Sequence, residues 1–318
     1  MHGGAARLCV ALACWLLALP ATGIVLRPGG SASPTLPPPD DPGFGHVGTV
    51  SGLSAVYIGG GWVLTAAHVV KNDSPVLELN GVTHASVPES MVRLETGPEE
   101  AADLALFRLV DPPALPHLRI ARDEPEPDEI VTLVGNGWTP RAGEVHWNAA
   151  WEEVEPARSV YTGFIKEGPG VMRWGRNAVT WAQRSLALVS LSTRTFQVRF
   201  DATGGPEEEC TVSTGDSGGA AFIKRGGRWE LAGILIARVS LDDQPSNVVV
   251  YGDRSEIADL SFYRDQIQDL TRASNGFRIG IVAAVIAAAG LLLVALARAR
   301  IRSLRKSAAE LRSTAQQS

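Results

Sequence analysis

Cysteine is nearly absent from this chain, which holds three in 318 residues. Cys9 and Cys14 fall in a leader segment expected to be removed, so Cys210 stands alone in the mature protein and no intramolecular disulfide can form. A disulfide-stapled scaffold is excluded, and the core has to hold by packing. Excess positive charge is missing as well: residues 24–277 hold 33 acidic against 21 basic groups, which gives no reason to expect a nucleic-acid partner. Long apolar runs are scarce. Leu8 to Leu19 is 12 residues, too few to cross a bilayer, and only Ile279 to Ala297, 19 residues without a charge, has the length.

What is present at the two ends follows from those runs. Arg7 before the first run, and Pro20 with the small residues Ala21-Thr22-Gly23 after it, form the layout of a secretory signal peptide. Cleavage is expected after Gly23, with Ala21 also allowed. The second run is flanked by Arg278 and by Arg298, Arg300, Arg302, Arg305 and Lys306, so it is expected to be a single transmembrane helix with its basic side in the cytoplasm. Most of the chain then lies outside the cell membrane, periplasmic or extracellular, with the lipid bilayer as a partner. Gly280, Ala284 and Ala288 have the four-residue spacing of close helix packing, which a membrane dimer would use and which alanine-rich spans also show without dimerising.

Between the ends, Pro28 to Gly43 is rich in Pro, Gly and Ser and reads as an extended, poorly ordered linker. From His46 onward, short apolar or alternating runs such as Val47–Val50, Trp62–Leu64, Val76–Leu79, Ile130–Val134 and Ala220–Lys224 are punctuated by Gly, Pro and Asp, the pattern of an all-β protein. Ser255 to Leu270 has apolar residues at helical spacing and is expected to be a closing helix. Trp138, Trp147, Trp151, Trp174 and Trp181 are read chiefly as packing residues. The expected division is a signal peptide at 1–23, an N-terminal segment and linker at 24–45, a folded domain at 46–271, the membrane helix at 279–297 and a basic tail at 298–318.

Three motifs carry chemistry. Gly215-Asp216-Ser217-Gly218-Gly219 puts a hydroxyl on a turn whose glycines let backbone amides approach an oxygen closely. A serine needs a base to take its proton, and His68, closing Trp62-Val63-Leu64-Thr65-Ala66-Ala67-His68, is the natural one. Asp103, opening the apolar run Leu104 to Phe107, supplies a carboxylate to orient that imidazole. His46, His84, His117 and His146 read as structural residues.

The order His68, Asp103, Ser217, separated by 35 and 114 residues, resembles the trypsin/chymotrypsin family of serine endopeptidases over residues 46 to 270. The lack of disulfides makes it similar to a bacterial, membrane-anchored member. The resemblance implies two six-stranded antiparallel β-barrels with a C-terminal helix, a protein or peptide substrate, an acyl-enzyme mechanism, and no metal or cofactor. It implies an oxyanion hole made by the amides of Gly215 and Ser217, and a primary substrate pocket with Thr211 at its base. Ile236, Ala237 and Arg238 stand where the family usually has Ser, Trp and Gly, so Arg238 is expected either to narrow the pocket or to meet an acidic substrate side chain. Cleavage after Gly23 would expose Ile24-Val25, which resembles the amino terminus that pairs with the carboxylate beside the nucleophile, here Asp216. The departures also admit a weak or inactive protease fold serving as a membrane-bound binding or scaffold protein.

Overall fold

The computed structural model describes residues 23–30, 34–188 and 191–272. The expected signal peptide up to residue 22, the membrane helix at 279–297 and the basic tail lie outside them, and among the described residues no helix is long and apolar enough to cross a membrane. The described chain opens on a two-residue strand, β1 (Val25–Leu26). Seven strands then build the first half: β2 (Val47–Val50), β3 (Leu53–Gly59), β4 (Trp62–Thr65), β5 (Val76–Leu79), β6 (Val82–Ala85), β7 (Val92–Gly97) and β8 (Glu100–Arg108). The second half contributes β9 (Ile130–Gly135), β10 (Trp138–Pro140), β11 (Val145–Trp147), β12 (Tyr161–Gly170), β13 (Arg173–Leu188), β14 (Leu191–Arg199), β15 (Cys210–Thr211), β16 (Ala220–Arg225), β17 (Arg228–Val239), β18 (Val248–Val250) and β19 (Arg254–Asp259).

The first half is one sheet in the order β6-β5-β2-β3-β4-β8-β7, and the second half closes a barrel, β13-β14-β19-β17-β16-β9. Pairing is antiparallel throughout both, as short hairpin connections require. The expected two six-stranded barrels are therefore one six-stranded barrel and one seven-stranded sheet whose outermost strands do not pair. The additional strand is β6, a largely exposed hairpin partner of β5. Strands that were legible as apolar runs are buried on both faces: β4 has every residue buried, and Ala102 to Phe107 of β8 are buried as well.

Two expectations need correction. Residues 255–259 are not helical; they belong to β19, which is hydrogen-bonded on one side to β14 and on the other to β17, and a helix, α1, occupies 260–272. Barrel closure demands the strand there, and tertiary pairing overrides the helical spacing. Of the expected linker, residues 34–43 are docked. Trp174 donates its backbone N–H to Pro34 O and its Nε1–H to Leu36 O, while Lys224 Nζ and Trp229 Nε1 both donate to Asp40. Its proline rings thus cover the barrel, with Pro38 and Pro42 buried. Of the five tryptophans, Trp138, Trp147 and Trp174 are core residues, and Trp181 is exposed beneath the Arg184 guanidinium.

A core cluster crosses from the first half into the second, running from Val47, Leu64 and Phe107 to Trp174, Phe222 and Ile234 and on to Tyr263 and Ile267 of α1. Among the described residues Cys210 is buried and free.

Candidate active site

Register brings His68 to Asp103. In the β4–β8 ladder Thr65 faces Ala105, so two residues further on in each direction the chain sets Asp103 beside the short 3₁₀ turn Ala67–Val69 that carries His68. Asp103 is fully buried and accepts two bonds from the same histidine: His68 N–H to Oδ1 at 2.9 Å and His68 Nδ1–H to Oδ2 at 2.7 Å. An ionised carboxylate only accepts, so Nδ1 carries the proton and Nε2 is left as the basic nitrogen. The imidazole is 41% exposed and open to a substrate, while its orienting carboxylate is not. Asp103 is held in turn by its own N–H, which donates to Thr193 Oγ1 of β14 at 2.9 Å.

The Gly215–Gly219 turn hangs between β15 and β16. Gly215 and Gly218 take φ of 106° and 85°, values open to glycine and strained for other residues. A side chain at 218 would collide with Ser54 O and Thr65 Oγ1, so the missing Cβ is what lets the turn press against β3 and β4. Ser54 ties the halves together: its N–H and Oγ–H both donate to Gly215 O (3.2 and 3.0 Å), and its Oγ accepts from Asn136 N–H at 2.8 Å. The turn that carries Ser217 is thereby set against β4, which leads into the 3₁₀ turn of His68. Among the described residues no hydrogen bond reaches Ser217 Oγ, and the N–H groups of Gly215 and Ser217 donate to no protein acceptor. Two free amides on one turn are an anion-binding pair.

Asp216, beside Ser217, is fully buried. Its carboxylate accepts from Gly137 N–H at 2.6 Å and from Ser213 N–H and Oγ–H at 2.7 and 3.0 Å. Burial pushes its pKa up to about 6, against those bonds and the nearby charge of Arg173. Ile24 is fully buried nearby. A Cβ at Gly23 would come within 2.8 Å of Gly135 O, and one at Gly135 would collide with Asp216. No hydrogen bond joins Ile24 to Asp216. The carbonyls of Gly23 and Ile24 instead accept from Arg173 Nη1 at 3.5 and 3.1 Å, and burial lowers the Arg173 pKa to about 10.

A family model for a trypsin-like peptidase domain matches residues 53–234, a span that contains His68, Asp103 and Ser217. The chain belongs to that family. No curated protein matches it. In this peptidase domain a cavity of about 390 Å³ opens beside Ser217 and is walled by Ser213, Ala237, Arg238, Gln244 and Ser246. Thr211, expected at its base, is fully buried and shares a hydrogen bond with Ser255 Oγ at 3.0 Å, outside the lining. Arg238 does line the cavity, but the protein already supplies its anion: Nη1 donates to Asp253 Oδ2 at 2.6 Å and to Val248 O at 2.7 Å, and Gln244 Nε2 donates to the same two oxygens. Asp253 is fully buried, so the Arg238 guanidinium already holds a carboxylate of the protein as its partner.

Sequence reasoning missed Ser54, Thr193, Arg173 and Asp253. Each acts across at least 15 residues of chain, and none lies in a motif, so nothing local signals it.

Proposed function

We propose that this peptidase is a serine endopeptidase that works through His68, Asp103 and Ser217. Ser217 Oγ attacks a peptide carbonyl, and its proton passes to His68 Nε2, the nitrogen left unprotonated by the bond from Nδ1 to Asp103. The developing oxyanion is received by the amides of Gly215 and Ser217. The proton then goes to the leaving amine, the C–N bond breaks, and water repeats the sequence on the acyl-enzyme to release the acid. The observation that carries this reading is the conjunction of a buried carboxylate on His68 Nδ1 with a serine turn bearing two uncommitted N–H groups. A fluorophosphonate probe tests it: the wild-type chain should be labelled, and Ser217→Ala should not. Labelling in neither would favour the alternative of a protease fold that binds without turnover.

Sequence features support a membrane-anchored enzyme with its catalytic domain extracytoplasmic. Protease protection in sealed vesicles should leave the C-terminal tail shielded and the domain cut. The same segments support activation by signal cleavage, since a new amine at Ile24 would start life next to Asp216. Amino-terminal sequencing of the active form should begin at Ile24. Because Asp253 neutralises Arg238, the pocket is read as favouring uncharged side chains before the scissile bond, in place of the acidic partner that Arg238 alone would suggest.

A further inference from the structure

On the face where α1 packs against the first half, a cavity of about 300 Å³ is lined by an unusual set of groups. Arg119, Arg264, Arg272 and His117 reach it, Trp62 and Ile267 belong to its apolar wall, and no carboxylate lines it. Two of the arginines are poorly served by the protein. Arg119 is exposed and makes no side-chain hydrogen bond or ion pair among the described residues. Arg264 Nε is shielded from water without a partner, and the nearest carboxylate to that side chain, on Asp265, is 3.8 Å from Nη1 and 94% exposed. Arg272 donates to neutral Gln268 Oε1 at 3.0 Å.

Converging cations repel one another, and a shielded guanidinium N–H without an acceptor costs free energy. Such a cluster is relieved by an anion with several acceptor oxygens, and the planar fork of arginine matches phosphate oxygens. The apolar wall next to it suits an anion with a hydrocarbon portion. Position adds a further argument: Thr271 and Arg272 of the lining are the last described residues, and the uncharged run begins at Ile279. Seven residues span at most roughly 25 Å.

We propose that this groove is an anion site that takes a phosphoryl group. That a lipid headgroup is the source rests on the membrane-anchored reading given above; the site itself does not, and its chemistry would accept free phosphate too. Its residues are separate from His68, Asp103 and Ser217, so occupancy and catalysis can be measured independently.

The test uses the full chain in an uncharged detergent. Isothermal titration calorimetry is run with inorganic phosphate, dihexanoyl phosphatidylglycerol and dihexanoyl phosphatidylcholine, on wild type, Arg119→Glu, Arg264→Gln and the exposed control Arg228→Glu. Wild type should bind phosphate or phosphatidylglycerol at least 10-fold more tightly than Arg119→Glu and Arg264→Gln, with Arg228→Glu within 2-fold of wild type. Arg119 is exposed, so its variant should fold, and unchanged fluorophosphonate labelling of Ser217 would verify this. Preference for phosphatidylglycerol over both other ligands assigns the lipid source, and equal binding of phosphate assigns the soluble one. Binding of neither anion, binding unaffected by both groove variants, or an equal loss in Arg228→Glu would overturn the proposal. Failure of labelling with binding intact would overturn the peptidase reading alone.

Discussion

The two halves of the domain solve different problems. The first half holds His68 and Asp103 by register: two neighbouring antiparallel strands, one buried carboxylate, and two bonds within a span of 35 residues. The second half holds the turn of Ser217 by buried polar groups, with Asp216 bonded to Gly137 and Ser213, and Gly215 bonded to Ser54 of the first half. Ladder hydrogen bonds tolerate the loss of one side chain, whereas a buried carboxylate deprived of its donors is costly to keep. Substitution in the first half should therefore act by changing which imidazole nitrogen carries the proton, and substitution in the second by displacing the Gly215–Gly219 turn.

Chemistry sets the largest expected effect. Ser217→Ala should lower kcat on a peptide substrate by roughly 10⁶-fold, and Asp103→Asn by roughly 10⁴-fold, since the amide would favour the wrong imidazole tautomer. Steady-state kinetics with an internally quenched peptide checks both. A loss below about 10-fold for Asp103→Asn would break the claim that the first half orients the base. Asp216→Asn should cost roughly 10²–10³-fold in kcat, because an amide nitrogen would face the donors of Gly137 or Ser213 and displace the turn that carries the oxyanion amides. Comparable activity in that variant would remove the distinction between the halves. Ser54→Ala, which cuts the tie between them, should destabilise the domain by about 1 kcal/mol in urea denaturation and lower kcat more than it raises KM.

Acid should act on the halves in opposite directions. Burial raises Asp216 to about 6 and Glu209 to about 7, so the folded second half takes up protons at pH values where the unfolded chain does not. Their contribution to stability rises as pH falls from about 7 towards the ordinary carboxylate values near 4. His46 in the first half is buried, bonded through Nδ1 to Tyr57 O at 2.7 Å, and burial lowers its pKa. Its contribution is present above the unfolded histidine value and is lost as pH falls below about 6.5. Thermal melts at pH 5.5 and 8 should thus show His46→Gln gaining relative stability at the acid pH and Asp216→Asn losing it. The smallest effect concerns specificity: peptides with Ala or Leu before the scissile bond should be cut several-fold faster than those with Glu or Arg.

The sequence made the site readable to the extent that its chemistry is local. Gly215 to Gly219 announces a tight turn because only glycine occupies φ near 100° without strain, and Trp62–Leu64 of β4 and Leu104–Phe107 of β8 announce themselves as apolar runs. The boundary of α1 was misplaced because Ile257 satisfies both a helical spacing and a barrel strand, and only the partners β14 and β17 choose between them. Composition misjudged the linker for a related reason. Proline and glycine do not build a core, yet they can lie along one made by Trp174, Lys224 and Trp229.

By itself the sequence determined the candidate reacting groups and their order along the chain, because residue identity and short-range backbone preference decide those. Tertiary structure decided which charges are free to act. Arg238 reads as a substrate-facing cation until Asp253, 15 residues away, is folded against it. Arg119 and Arg264 lie far apart in the sequence, and only packing gathers them in one groove without a carboxylate. Charge interactions depend on distance and burial, and only the folded chain fixes those.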